Sequence, residues 1–136
     1  MSEPFPITIY HNPQCGTSRN VLAMIRAAGQ EPRIVPYLET GWDPATLARL
    51  VAASGGSVRA LLREKGTPAA ALGLLDAAVP DEAVFAAMLA HPVLVNRPIV
   101  ETPKGVRLCR PSEQVFALLE TPPAQFTKED GEIVRR

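Results

Sequence analysis

Apolar and polar positions follow two different periods along this chain, and the changes of period mark its elements. Residues 7–11, ITIYH, form an unbroken apolar, β-branched run and predict a buried strand. Asn12-Pro13 ends it. From Thr17 to Ala28 the spacing becomes helical: Val21, Leu22, Ile25 and Ala28 share a face, and Gly29 follows as a stop. IVPYL, residues 34–38, predicts a second strand. Pro36 cannot donate to a ladder, which puts that strand at a sheet edge.

Asp43-Pro44 then opens a helix carrying Leu47, Leu50 and Val51, with Asp as cap and Pro in the first turn. Residues 57–66, SVRALLREKG, predict a short helix ending at Gly66. Residues 67–90 are rich in alanine and leucine and predict two more helices, divided at Pro80-Asp81. Residues 43–90 are thus expected to be an all-helical block. PIVET and VRLC flank Pro103-Lys104-Gly105, a hairpin pattern. PSEQVFALLE predicts a closing helix, and the polar tail TPPAQFTKEDGEIVRR is expected to be loosely held. No internal repeat occurs. Strand, helix, strand, helical block, hairpin and helix amount to a βαβ unit followed by a ββα unit. With the first strand central, this is the layout of a thioredoxin-like α/β fold: a central four-stranded mixed sheet with a helical insertion.

Composition narrows the function classes. The length of 136 residues suggests a single domain spanning 1–136, long enough to bury a core without disulfides or a structural metal. Fourteen Lys and Arg balance fourteen Asp and Glu, which does not suggest a nucleic-acid binder. No apolar run is long enough to cross a membrane. The start, MSEPFPITIYH, lacks a basic region followed by a long apolar one, so a cytoplasmic protein is expected. Cys15 and Cys109 are the only cysteines, and in a reducing compartment both are expected to be free thiols. His11 and His91 lack the paired spacing of a zinc site, so no metal is expected.

Chemistry concentrates in HNPQCGTSRN, residues 11–20. Cys15 sits between a strand and a helix start, where backbone N–H groups and the helix dipole favour a thiolate. His11, if protonated and close, would add an opposite charge. The same N–H groups would hold an oxyanion, so the site suits an anionic substrate attacked by sulfur. Cys15-Gly16-Thr17-Ser18 is not C-x-x-C, so no internal disulfide forms at that spacing. Position 21 is Val, which excludes the Cys-x5-Arg loop of tyrosine phosphatases. The bland alternatives are an inert buried thiol for Cys15, a strand-end role for His11 and surface roles for Arg63, Arg97 and Arg110. Cys109, in an apolar strand, is expected to be core packing.

HNPQCGTSRN, SVRALLR, HPVLVNRPIV, RLCRPSE and FTKEDGE together resemble the glutaredoxin-coupled arsenate reductase family, over about Ile7 to Glu120 and again near the end. The resemblance implies a thioredoxin-like fold with a helical insertion at about 43–90. It assigns Cys15 as nucleophile, His11 as the residue that helps keep it ionised, and Arg63, Arg97 and Arg110 as oxyanion-binding arginines. Gly16, Thr17 and Ser18 support the helix start, and Pro98 matches a proline that is typically cis beside the cysteine. Arg59, one helical turn before Arg63, receives no oxyanion role. The implied reaction reduces arsenate to arsenite, with glutathione as co-substrate, glutaredoxin as partner and no bound cofactor. Extra N-terminal residues (SEPFP) and Pro36 depart from the pattern without touching these positions. Two other readings stay open: a thioredoxin-like regulatory or adaptor protein without turnover, and a general glutathione-dependent thiol oxidoreductase. Neither needs three arginines at one thiol.

Overall fold

The computed structural model describes residues 4–136; Ser2 and Glu3 of the N-terminal extension lie outside the described residues. The chain divides into two compact units, one built from the chain up to Pro36 and again from Arg97 to Arg136, the other from Tyr37 to Asn96.

The first unit contains the sheet. Strands β1 (Thr8–Tyr10), β2 (Arg33–Val35), β3 (Ile99–Thr102) and β4 (Gly105–Leu108) lie in the order β2-β1-β3-β4. β1 pairs parallel with β2 and antiparallel with β3, and β3 pairs antiparallel with β4. The first strand is central and the sheet is mixed, as the element order predicted. Helix α1 (Gly16–Ala27) makes the crossover from β1 to β2. Its Val21, Met24 and Ile25 are fully buried, in one cluster with Ile7, Ile9, Val100, Val115 and Phe116. Each such side chain contributes about 1.5–3 kcal/mol through burial. Gly29, with φ +82°, closes the helix, and its N–H reaches the Arg26 carbonyl at 2.9 Å.

Several expectations need correction here. The second strand ends at Val35: Pro36 interrupts the ladder, and Tyr37–Thr40 turn into a short helix, α2. Residues 112–118 form a 3₁₀ helix rather than an α-helix. The tail is not loose. Strands β5 (Gln125–Thr127) and β6 (Ile133–Arg135) form an antiparallel hairpin, and Val134 is buried in the core cluster with Phe126 packed against it.

The insertion runs from Tyr37 to Asn96, wider than the expected 43–90. Helix α3 (Pro44–Ser54) starts as predicted: the Asp43 carboxylate accepts the Thr46 N–H at 3.0 Å, with Pro44 at the first position. α4 (Asp81–Ala90) also forms. The remainder is less regular than alanine content suggested. The expected helix at 57–66 is a single 3₁₀ turn, Arg59–Leu61, and residues 67–79 form successive turns instead of a helix. The physical reason is a set of local competitors for the helical hydrogen bonds. Thr67 Oγ1 donates to the Arg63 carbonyl at 2.7 Å, and Gly66 and Gly73 adopt positive φ. Arg59 donates to the carbonyls of Leu74, Asp76 and Val79 at 2.6–3.0 Å, taking acceptors a helix would use internally. No helix is long and apolar enough to cross a membrane among the described residues.

Candidate active site

Strand register brings the candidate residues of the first unit to one end of the sheet. Tyr10 pairs with Ile99, and Ile99 pairs with Leu108. The segments just past that row are His11–Cys15, Arg97-Pro98 and Cys109-Arg110. Three separate stretches of sequence therefore meet at the carboxyl end of β1.

Cys15 occupies the cap position of α1 with an extended backbone, φ −99° and ψ 122°. Its own N–H donates to the Asn12 carbonyl at 3.0 Å, and the Gln14 N–H donates to Asn12 Oδ1 at 2.9 Å, so the loop folds on Asn12. Gly16 and Thr17 open the helix. No side-chain cap closes the first turn; the Ser18 N–H instead favours charge on Cys15 Sγ. Arg110 Nη1 stands 3.6 Å from that sulfur and also donates to the Arg97 carbonyl at 3.0 Å. The Arg97 guanidinium also favours the charged form of that sulfur. The Arg97–Pro98 bond is cis, as the motif implied, and so is Arg110–Pro111.

These contacts decide the ionisation of Cys15. Burial alone pushes the thiol up. Hydrogen bonds from Arg97, from the Ser18 N–H and from Arg110, with the Arg97 charge, outweigh it and bring the pKa down from 9.0 to about 7.

The pKa of His11 is lowered, first by burial and then by the positive charges of Arg26 and Arg19. The shift favours the neutral imidazole. Its Nδ1 lies 2.7 Å from Ser18 Oγ, which also accepts the Asn12 N–H at 3.1 Å. His11 and the Asn12 N–H thus tie the loop to Ser18 in the first helical turn.

Arg63 belongs to the helical unit. There its Nη1 donates to Asn96 Oδ1 at 3.2 Å and its Nε to the Lys65 carbonyl at 3.1 Å. Cys109 is fully buried beside β4, and burial pushes its pKa up to about 12 against a small opposing pull from Arg107. Both thiols are free. Among the described residues no group of His, Cys, Asp and Glu is arranged to hold a metal ion.

Sequence reasoning missed the shell behind the thiol. Arg19 Nε and Nη2 form a fork with the Glu129 carboxylate at 2.9 and 3.0 Å, and Arg19 Nη1 donates to the Pro13 carbonyl at 2.9 Å. The Glu129 N–H in turn donates to Asn20 Oδ1 at 3.0 Å. The usable signal was Asp130-Gly131, a hairpin dipeptide between Phe126 and Val134.

The family model described as the ArsC family matches residues 10–118. The chain belongs to the ArsC family. An arsenate reductase of Rhizobium meliloti (strain 1021) is 57% identical over 129 residues, covering 94% of this chain and 92% of that protein. An arsenate reductase of Escherichia coli (strain K12) is 56% identical over 131 residues, covering 94% and 92%. Among solved structures, an arsenate reductase from Vibrio cholerae superposes with a TM-score of 0.81 at 41% identity, covering 86% of this chain and 100% of that one. The thioredoxin-like fold expected from element order is thus the fold of the family.

Proposed function

We propose that Cys15 is the nucleophile of an arsenate reductase that draws its electrons from glutathione and glutaredoxin. The reaction class is that of the curated relatives, at 54–57% identity over more than nine-tenths of the chain. The observation that carries the site is the Cys15 sulfur at the start of α1 with Arg110 Nη1 3.6 Å away, and Arg97 and Arg110 help draw its pKa down to about 7.

Arg97 and Arg110 are forked donors suited to a tetrahedral oxyanion, and the open N–H groups at the helix start add neutral donors. The SVRALLR motif gives Arg63 an oxyanion role by resemblance alone. Cys15 thiolate attacks arsenic(V), an As–S bond forms, and an arsenate oxygen leaves as water after taking a proton. A glutathione thiol then supplies the second sulfur. Cys15 and glutathione become a mixed disulfide, arsenic takes the electron pair, and arsenite departs. A glutaredoxin thiol removes the glutathione by exchange and restores Cys15. The second thiol must come from outside, because Ser18 stands where a dithiol enzyme has its second cysteine and Cys109 is buried and protonated. A glutathione-rich, reducing cytoplasm is the compartment this chemistry requires.

The test is arsenate turnover with glutathione and glutaredoxin, each left out in turn. Turnover should need both thiol sources and vanish in Cys15→Ser. A folded wild-type protein that never turns over arsenate would leave the adaptor reading in its place.

A further inference from the structure

The turn of the C-terminal hairpin reaches back to the cysteine loop through a single side chain. Three nitrogens of Arg19 are committed at once, two to Glu129 and one to the Pro13 carbonyl. Glu129 is itself fixed: its N–H bonds Asn20 Oδ1, and the turn behind it is closed by Lys128 N–H to the Glu132 carbonyl at 2.8 Å. The fork lies against the first residue of α1. A Cβ on Gly16 would stand 3.6 Å from Arg19 Nη2 and 3.7 Å from Glu129 Oε1.

Such a pair is half-exposed, with side-chain exposures of 45% and 49%, so it adds little to global stability. Its value is geometric. An unpaired arginine on that surface would sample many rotamers, whereas this one is clamped with its third nitrogen on the Pro13 carbonyl. That carbonyl precedes Gln14-Cys15, so its direction sets how the chain enters the helix cap and where Sγ lies against Arg110 and the Ser18 N–H. We propose that Glu129 is a positioning residue for Cys15, acting through Arg19 on the Asn12–Gln14 turn. This rests on Cys15 being the nucleophile assigned above.

Arg26 and Glu31 provide a control of the same chemistry. They form the same two-bond fork, at 2.9 and 2.9 Å, near the far end of α1, with exposures of 50% and 67%. Their fork makes no hydrogen bond to the cysteine loop, which Arg26 reaches only through its charge on His11.

The experiment is a double-mutant cycle over Arg19→Ala and Glu129→Ala, with Glu31→Ala beside it. It reads kcat and KM for arsenate and the pH midpoint of Cys15 alkylation by iodoacetamide. Glu129→Ala should lower kcat about 3- to 10-fold with KM little changed, the loss expected from a small misplacement of the reacting group. The alkylation midpoint should rise, because the sulfur loses its alignment with the donors. Both effects should disappear when Glu129→Ala is made in the Arg19→Ala background. Glu31→Ala should match wild type. A falling midpoint would mean that Glu129 is only a nearby negative charge, and an unchanged one that the fork is only structural; either overturns the proposal. So does a Glu129→Ala loss that persists without Arg19. Glu129→Gln carries the same readouts if the alanine variant does not fold. The alkylation arm needs no arsenate, so failure of the reductase reading is told apart from failure of this one.

Discussion

The two cysteines belong to the same unit and are both buried, yet they are poised for opposite fates. Cys15 is 8% exposed and titrates near 7; Cys109 is 0% exposed and titrates near 12. Arginine proximity does not separate them, since Arg107 exerts a pull on Cys109. The difference lies in donors. Two guanidiniums and a helix-start N–H draw the Cys15 thiol down, whereas Cys109 Sγ donates toward the Arg107 carbonyl at 3.8 Å and burial pushes it up with only the Arg107 charge against it. Burial strips water from both, and only the sulfur with replacement donors can ionise. A thiol's depth in a fold is therefore a poor guide to its reactivity unless what it faces is known.

The sharpest way to break this comparison is to remove the donors. Arg97→Ala and Arg110→Ala should each lower kcat/KM for arsenate by about one to two powers of ten, from roughly 1.5–3 kcal/mol per charged hydrogen bond. Each should also raise the Cys15 alkylation midpoint toward the ordinary thiol value of 9.0, because burial is then opposed by fewer donors. Lysine at either position should rescue poorly, because it keeps the charge and loses the fork. Arg59→Ala is the structural counterpart. It should leave the alkylation midpoint alone and lower the melting temperature, since three carbonyls of residues 74–79 lose their donor. An Arg59→Ala protein with a shifted thiol midpoint and an unchanged melt would break that division of labour.

The other side of the comparison predicts a smaller effect. Cys109→Ser should keep most of the turnover and the Cys15 midpoint. Its cost falls on stability, on the order of 1–3 kcal/mol for a buried hydroxyl that is imperfectly bonded. Steady-state assays beside thermal melts check it. Lost turnover in a well-folded Cys109→Ser protein would mean that Cys109 acts as an internal resolving thiol.

What the sequence made legible follows the same logic. β1, α1 and the β3–β4 hairpin carried both period and punctuation, so their existence and order could be read directly. Cys15 was identifiable because its address, between a buried strand and a helix, is itself chemical. The turns at 67–79 were not legible, because alanine and leucine favour a helix only when nothing competes for the backbone. Arg59, Thr67 and two positive-φ glycines compete there. The tail read as loose because its polar residues outnumber Phe126 and Val134, and those two anchor it. His11 shows a related limit: motif position shows that a histidine is present, and only the structure shows that burial and the charges of Arg26 and Arg19 lower its pKa.

The central claim is that donors at the helix start hold Cys15 as a thiolate at neutral pH. The direct measurement is the pH dependence of alkylation of the native protein, with each cysteine quantified separately by peptide mass spectrometry. Because the folded state favours the charged form, reactivity at Cys15 should rise as pH increases through about 7 and level off above it. Cys109 should stay unlabelled over the same range. A Cys15 midpoint at the ordinary 9.0, or equal labelling of the two thiols, would contradict the account.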